Sequence, residues 1–157
     1  MWTITRLGIL LVICGSFTFN NKGSAKLKIN ISLQSRLDRQ LAVKVILINN
    51  TPDTVIYQSM SCSWCDYYIT NTPDVSLSSD YFACDKNIPL KVKILPYSKE
   101  EKIISYLLAD KIPETTVVSF KIGFNYIPVK ENENISLFNW HPPAKRNYIW
   151  SNSLSIP

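Results

Sequence analysis

The sequence predicts an all-β fold, an antiparallel β-sandwich of about eight strands, on three observations. After residue 25, apolar and polar side chains alternate with a period of two, which is typical of a strand with one buried face. Turn signals separate the alternating runs. The nine prolines lie between or at the edges of these runs, where a residue without an N–H does not interrupt a sheet ladder.

The alternation defines the strands one by one. Leu27 to Leu33 begins the series, and Val118 to Tyr126 is its clearest member. Leu41 to Ile48 is apolar on both faces except at Lys44, which predicts a central strand covered by two layers. The turn residues 49–54 predict a hairpin between that strand and the next one. The remaining predicted strands are 55–59, 63–70, 90–95 and 147–156.

The segment from Ser98 to Ala109 carries two conflicting patterns. Ser98 and Glu101 form a capping box, and the apolar residues that follow also fit helical spacing. The same residues alternate as Ile104, Tyr106 and Leu108, which is typical of a strand. We favour the strand, because a short run bounded by prolines suits a sandwich better than a helix.

The first 25 residues are predicted to be a signal peptide, followed by a single β-sandwich domain over residues 26–157. Arg6 is the only charge before residue 20, and Leu7 to Cys14 is an unbroken run of small or apolar residues, too short to span a membrane. Cleavage after Ser16 or after Ala25 satisfies the small-residue rule equally well. We therefore expect export to the periplasm, the cell surface or the extracellular space.

Cys14 suggests a second fate for the same segment. Leu11 to Gly15 resembles a bacterial lipoprotein box, in which the cysteine is lipidated and attaches the protein to a membrane surface. Ile13 departs from that pattern, because a small residue usually precedes the lipidated cysteine. The alternative is an ordinary apolar cysteine within the signal peptide.

Composition excludes several classes of function. Only four glycines are present, and three of them precede residue 25, so no glycine-rich phosphate loop is available. His141 is the only histidine, which excludes metal sites that need two. The net charge of +5 includes Arg6 and Lys22 of the signal segment, and the remainder is too small to predict nucleic-acid binding. We predict no cofactor, no metal and no enzymatic activity.

Cys62 and Cys65 form a CxxC motif, but no helix is predicted after it, as a thioredoxin-type redox pair would require. In an extended segment, residues three apart point to opposite faces and cannot form a disulfide with each other. Cys84 is then the natural partner for one of them in an exported protein. Three arrangements remain open: a Cys62–Cys84 disulfide, which we favour, a Cys65–Cys84 disulfide, and a zinc site that adds His141.

Aromatic residues are concentrated around the same motif. Exposed Trp64, Tyr67 and Tyr81, beside polar neighbours, would form a binding surface for a protein or a glycan. The alternative is that these rings fill the core of the sandwich.

Four segments carry a family resemblance. They are 45–54, Met60 to Trp64, Cys84 to Pro89 and Ile149 to Asn152, and they resemble small uncharacterised secreted proteins of bacteria with an Ig-like sandwich. The resemblance implies an Ig-like fold and a disulfide between Cys62 and Cys84, with Cys65 as a departure of this chain. It implies no activity. A fainter similarity connects the early strands to Ig-like proteinase-inhibitor domains.

These observations lead to three functional hypotheses. The first is a non-enzymatic exported β-sandwich that binds a protein or glycan partner. The second is an Ig-like proteinase inhibitor that uses the loop 70–81 or the loop 130–146. The third is a thiol- or zinc-dependent enzyme built around the cysteines and His141.

Overall fold

The computed structural model describes residues 27–78, 86–113, 115–135 and 147–157, so the predicted signal segment lies outside it. The structure is mostly β with several antiparallel sheets, which confirms the all-β prediction. The strands are β1 (Leu27–Leu37), β2 (Gln40–Asn49), β3 (Val55–Met60), β4 (Tyr68–Thr70), β5 (Val75–Leu77), β6 (Pro89–Ile94), β7 (Lys99–Leu108), β8 (Val118–Phe120), β9 (Ile122–Asn125), β10 (Tyr148–Trp150) and β11 (Leu154–Ile156).

The largest sheet has four strands in the order β1-β2-β7-β5, all antiparallel. The segment 99–108 is therefore a strand, as the alternation predicted, and not a helix. In β2, Leu41, Val43, Val45 and Leu47 are almost completely buried, and the residues between them are half-buried. β2 is a central strand, as predicted, because it lies between β1 and β7, but its second face is only half-buried.

The hairpin predicted between β2 and β3 does not form. β2 pairs with β1 and β7, whereas β3 pairs with β6 in a separate two-stranded sheet. The residues 50–54 carry the chain from one sheet to the other.

Asn49 makes this crossover possible. Its side chain is fully buried, and its Nδ2 donates to the carbonyl oxygens of Asp53 at 2.7 Å, Ile94 at 3.1 Å and Leu95 at 3.0 Å. Its Oδ1 accepts from the backbone N–H and the hydroxyl of Thr51, at 3.0 and 2.7 Å. One carboxamide therefore provides hydrogen-bond partners for backbone groups of the crossover and of the end of β6.

Two predicted strands are each divided at a bend. The run 118–126 splits into β8 and β9 at Lys121, and the run 147–156 splits into β10 and β11 at residues 151–153. Ser151 joins the halves: its N–H donates to the carbonyl of Ile122, and its Oγ accepts from the N–H of Ile122 at 3.0 Å. These splits, together with β5, raise the number of strands in the described residues to eleven instead of about eight.

Asn152 occupies the outer edge of β1. Its Oδ1 accepts from the N–H of Ile31 at 2.8 Å, and its Nδ2 donates to the carbonyl of Ile31 at 3.1 Å. The side-chain amide thus makes the two hydrogen bonds that a neighbouring strand would make. An edge position that would accept another strand is blocked in this way.

The buried side chains of both groups of strands form one hydrophobic cluster. From the four-stranded sheet it includes Ile29, Leu47 and Tyr106, and from the remaining strands Tyr57 and Phe124, each 1% exposed or less. Tyr106 contacts Phe120 of β8 with ring centroids 6.4 Å apart. The core therefore lies between the four-stranded sheet and the strands that pack on its inner face.

We predict that Asn49→Ala lowers the free energy of unfolding by about 3 kcal/mol, because several buried backbone groups lose their partner together. Urea denaturation measures this. Asn30→Ala, at a half-buried position of β1, is the matched control and should change stability by less than about 0.5 kcal/mol. Equal effects of the two substitutions would contradict the proposed role of Asn49.

Candidate functional site

The predicted binding residues Trp64 and Tyr67 lie in a single-turn 3₁₀ helix, Trp64–Tyr67, between β3 and β4, and Tyr81 lies outside the described residues. In a 3₁₀ helix each residue turns by about 120° from the last, so the alternation of a strand does not apply. Tyr67 is only 6% exposed and belongs to the core. The prediction that Tyr67 belongs to an exposed surface is wrong, and the expected strand begins only at Tyr68.

The two cysteines of the CxxC motif are in different chemical states. Cys65 is a free, buried thiol, whereas Cys62 is disulfide-bonded. The alternative disulfide between Cys65 and Cys84 is therefore excluded. Cys14, Cys84 and His141 lie outside the described residues, so lipidation of Cys14 and the pairing of Cys62 with Cys84 stay predictions.

Two segments that carry the family resemblance lie side by side. The N–H of Ser61 donates to the carbonyl of Ile88 at 2.9 Å, and the N–H of Ile88 donates to Ser61 Oγ at 3.0 Å. The side chain of Asn87 bonds the N–H of Cys62 at 3.2 Å and Ser63 Oγ at 2.7 Å. The residues around Cys62 are thus held against those that follow Cys84 in the chain.

Three polar and aromatic contacts link four residues beside the 3₁₀ helix. The Tyr57 hydroxyl donates to Glu100 Oε2 at 2.6 Å, and Lys102 Nζ forms an ion pair with Glu100 Oε1 at 3.1 Å. Lys102 Nζ also lies over the ring of Trp64, 4.5 Å from its centroid. Both charged side chains are about three-quarters buried, with 26% and 21% of their surfaces exposed. Water therefore screens this ion pair less than a surface pair.

Sequence reasoning missed Glu100 and Lys102, although a signal for them was present. In a strand over 99–108, both residues share a face with Ile104, Tyr106 and Leu108, which the alternation assigns to the core. The sequence does not distinguish these two residues from a solvated face, because charged residues are seldom buried without a partner. Only the structure shows the partners.

Aromatic rings pack below this chain of contacts. Tyr57 meets Phe124 edge to face with centroids 5.2 Å apart, and Tyr68 lies 5.0 Å from the same ring. Burial raises the pKa of the Tyr57, Tyr68 and Tyr106 phenols far above their ordinary value. The nearby Glu100 carboxylate raises the pKa of Tyr57 and Tyr68 further. All three phenols therefore remain neutral at physiological pH.

This cluster has the chemistry of a structural element. Both oxygens of Glu100 are engaged, and Lys102 is held by that carboxylate and by the Trp64 ring, so each charge is committed to a neighbour. Residues 27–78, 86–113, 115–135 and 147–157 contain no group of three or more histidine, cysteine, aspartate or glutamate side chains placed to hold a metal ion.

A second feature, the turn between β6 and β7, presents apolar side chains to solvent. Leu95 is 61% exposed and Tyr97 is 72% exposed, with Pro96 exposed between them. Tyr97 has a φ of 52°, a left-handed conformation that is unusual for a bulky side chain. A strained residue persists only where its surroundings fix it.

The base of this turn is fixed by hydrogen bonds on several sides. The Asn49 carboxamide holds the carbonyls of Ile94 and Leu95, as described above, and the Tyr97 N–H donates to the carbonyl of Thr51 at 3.3 Å. The Ser98 hydroxyl donates to the Leu95 carbonyl at 2.7 Å. The exposed rings and aliphatic groups are therefore carried on a pre-organised loop.

A third loop lies beside β3 and β6, the strands that the other two loops adjoin. Lys93 Nζ contacts Glu131 Oε1 at 2.5 Å, and Lys91 Nζ donates to the Glu131 carbonyl at 2.5 Å. The Val129 N–H donates to the carbonyl of Ile56 at 3.2 Å. Residues 50–54, 95–98 and 129–133 thus gather at the same end of the molecule, which we call the three-loop end.

No protein-family model matches the chain, and a search of the curated proteins found no significant match. Within the residues that the structure describes, no helix has the length and apolar character needed to cross a membrane.

We predict that Tyr106→Phe does not destabilise the protein at neutral pH and raises its free energy of unfolding by about 1 kcal/mol. The Tyr106 hydroxyl is buried without a hydrogen-bond partner, so removing it removes a desolvation cost. Denaturation at pH 7 measures this. A loss of stability in Tyr106→Phe would contradict the unpartnered hydroxyl.

The same variant has a predicted pH dependence. The raised pKa of folded Tyr106 means that only the unfolded chain releases this proton near pH 10, the ordinary value for tyrosine. The part of the wild-type free energy of unfolding that depends on a neutral Tyr106 is therefore fully present below pH 10 and is lost as the pH rises above it. In Tyr106→Phe this loss should be smaller, as measured by denaturation midpoints from pH 8 to pH 11.

We also predict that Cys65 does not react with a thiol reagent in the native protein and reacts fully after denaturation, because its side chain is buried. Thiol labelling followed by mass measurement checks this, in a Cys14→Ser background. The Cys65→Ser variant should show no additional labelling in denaturant. Rapid labelling of the native protein would show that Cys65 is accessible.

Proposed function

We propose that this chain is a non-enzymatic, exported Ig-like β-sandwich that binds a protein partner through its three-loop end. The single observation that carries the binding site is the rigid turn on which Leu95 and Tyr97 are exposed. Large apolar side chains fixed in a bound-like conformation lose little entropy on association, which is the property of an interface anchor.

The sheet order supports the Ig-like part of the proposal. The order β1-β2-β7-β5 joins the first two strands to later ones, as in one sheet of an Ig-like sandwich, and the remaining strands pack on its inner face. The partner of β3 is β6, which follows β5 in the chain although β5 belongs to the four-stranded sheet, and this departs from the usual Ig order of strands. Binding through loops gathered at one end is a common use of such a scaffold.

The anchor residues resemble those of known interface hot spots. Tyrosine is enriched at such positions, because it supplies a large contact area with few rotatable bonds and a hydroxyl that can pair with the partner. Tyr97 and Leu95 are neighbours across a single proline, and polar residues of the 50–54 loop lie beside them. An apolar centre with a polar rim is the usual anatomy of a protein interface.

Export rests on the predicted signal peptide over residues 1–25, and a disulfide at Cys62 agrees with an oxidising compartment. Attachment to a membrane surface through a lipidated Cys14 is part of the same proposal, as an alternative to a freely diffusing product. A glycan remains the other partner class for the aromatic residues, with Trp64 as the partly exposed ring.

The two alternative functions have less support from the geometry. Within the predicted inhibitory loop 70–81, residues 75–77 are strand β5 and pair with β7, so they are not free to enter a proteinase cleft. A thiol-dependent enzyme needs an accessible thiolate, and Cys65 is buried while Cys62 is disulfide-bonded.

A photo-crosslinking amino acid placed at Tyr97 in the exporting cell tests the proposal. We expect it to capture one defined protein, whose binding to the purified wild type is then measured. Tyr97→Ala should weaken that binding by about thirtyfold, the effect of losing a hot-spot anchor. Val117, 64% exposed elsewhere on the surface, is the matched control position.

The control position Val117 separates specific binding at Tyr97 from non-specific capture. Val117→Ala should retain wild-type affinity, and a crosslinker at Val117 should not capture the same protein. Equal capture from both positions, or unchanged affinity in the double variant Leu95→Ala with Tyr97→Ala, would overturn the three-loop end as the binding site. Stability of each variant is measured in parallel, and exposed positions are expected to fold normally.

A further inference from the structure

A cavity of about 440 Å³ lies at the opposite end of the four-stranded sheet from the three-loop end. The register of the sheet fixes this placement. Asn49 pairs with Leu27 at one end, and Gln40 pairs with Leu37 and Leu107 at the other, beside the cavity. Its size is within the range of pockets that hold small molecules.

The floor of the cavity is apolar and belongs to the core. Leu108, Val118 and Ile156 are each less than a tenth exposed, and Ile112 packs against the same cluster. These residues come from β7, β8, β11 and the segment after β7. A floor built from several packed elements keeps its shape when a ligand leaves.

One of two arginines on the cavity lining is fixed in place. Arg39 donates from Nε and Nη2 to the Leu108 carbonyl, at 3.2 and 3.1 Å, and from Nη1 to the Asp110 carbonyl at 3.1 Å. Its Nη1 also lies 3.2 Å from the Asp110 carboxylate, whose side chain is fully exposed. Arg39 therefore holds the wall of the cavity together, and the Asp110 carboxylate balances its charge.

The second arginine, Arg36, has N–H groups that can still donate hydrogen bonds. Arg36 donates from Nε to the Asp38 carbonyl at 3.0 Å and from Nη1 to the carbonyl oxygen of Pro157. Among the described residues it forms no ion pair with a side-chain carboxylate. Asp38 also lines the cavity and Asp110 pairs with Arg39, so Arg36 is the guanidinium of this wall that is available to an anion.

We propose that this cavity binds a small amphipathic acid, with its carboxylate on Arg36 and its short apolar chain on the floor formed by Leu108, Val118 and Ile156. A guanidinium offers paired N–H donors that match the two oxygens of a carboxylate. A hydrocarbon chain that covers the apolar floor removes apolar surface from water, which is favourable. An inorganic anion has no such chain. This proposal is independent of the partner-binding function of the three-loop end.

Methyl NMR on the mature chain tests the site with three probes. Hexanoate carries the charge and the chain, hexanamide is its neutral counterpart, and hexyl phosphate presents a different anion on the same chain. Hexanoate should shift the methyl signals of Leu108, Val118 and Ile156 in a saturable way, and leave those of Val55 and Ile94 at the other end unchanged. Tighter binding of hexyl phosphate would reassign the anion to a phosphate and overturn the carboxylate.

The variant Arg36→Gln isolates the charge, because Arg36 is exposed and its loss leaves the core intact. It should weaken hexanoate binding by about tenfold and change hexanamide binding by less than about twofold. Lys28→Gln removes the same charge at the far end of β1 and should change neither. Absence of methyl shifts at millimolar hexanoate, or equal affinity of Arg36→Gln and the wild type, would overturn the proposal.

Discussion

The carboxamide of Asn49 is the interaction on which the arrangement of the sheets depends. It is the last residue of β2, and from that position it binds the 50–54 crossover and the end of β6 together. Each of these groups is a backbone donor or acceptor that leaves its ladder where the chain changes sheets. A buried backbone group without a partner would cost more than an ordinary hydrogen bond contributes, so one amide decides whether the crossover is stable. The exposed turn at Tyr97 inherits its rigidity from the same contacts.

Much of the fold was predictable because burial on one face leaves a record in the sequence. The segment 99–108 shows the strength of this signal: alternation there predicted a strand correctly against a capping box that favours a helix. The β2–β3 hairpin shows its limit, because period two reports which face is buried and not which strand is the neighbour. The bends at Lys121 and Ser151 were invisible for a similar reason, since a side-chain hydroxyl replaces one ladder bond without changing the pattern of apolar residues.

The site was less predictable than the fold. Trp64 was identified, but its contacts with Lys102 and Glu100 join residues far apart in sequence, and no local pattern encodes them. Tyr67 was assigned to a surface because a strand was assumed where a 3₁₀ helix occurs. The positive φ of Tyr97 occurs in a turn whose neighbouring residues are bonded to Asn49 and whose own N–H is bonded to Thr51, so the residue type gives no warning of it. The cavity beside Arg36 likewise exists only where the ends of several strands meet.

The bond between Asn152 and Ile31 has a consequence for the order of assembly. It joins residues 121 positions apart, among the longest separations in the molecule. If the chain is exported with its N-terminus first, as we propose, Ile31 emerges well before Asn152. Until Asn152 arrives, the outer edge of β1 is open to strands of other molecules. Any chain that emerges in this order would be most prone to aggregate during this interval, and a chaperone that covers strand edges would act then.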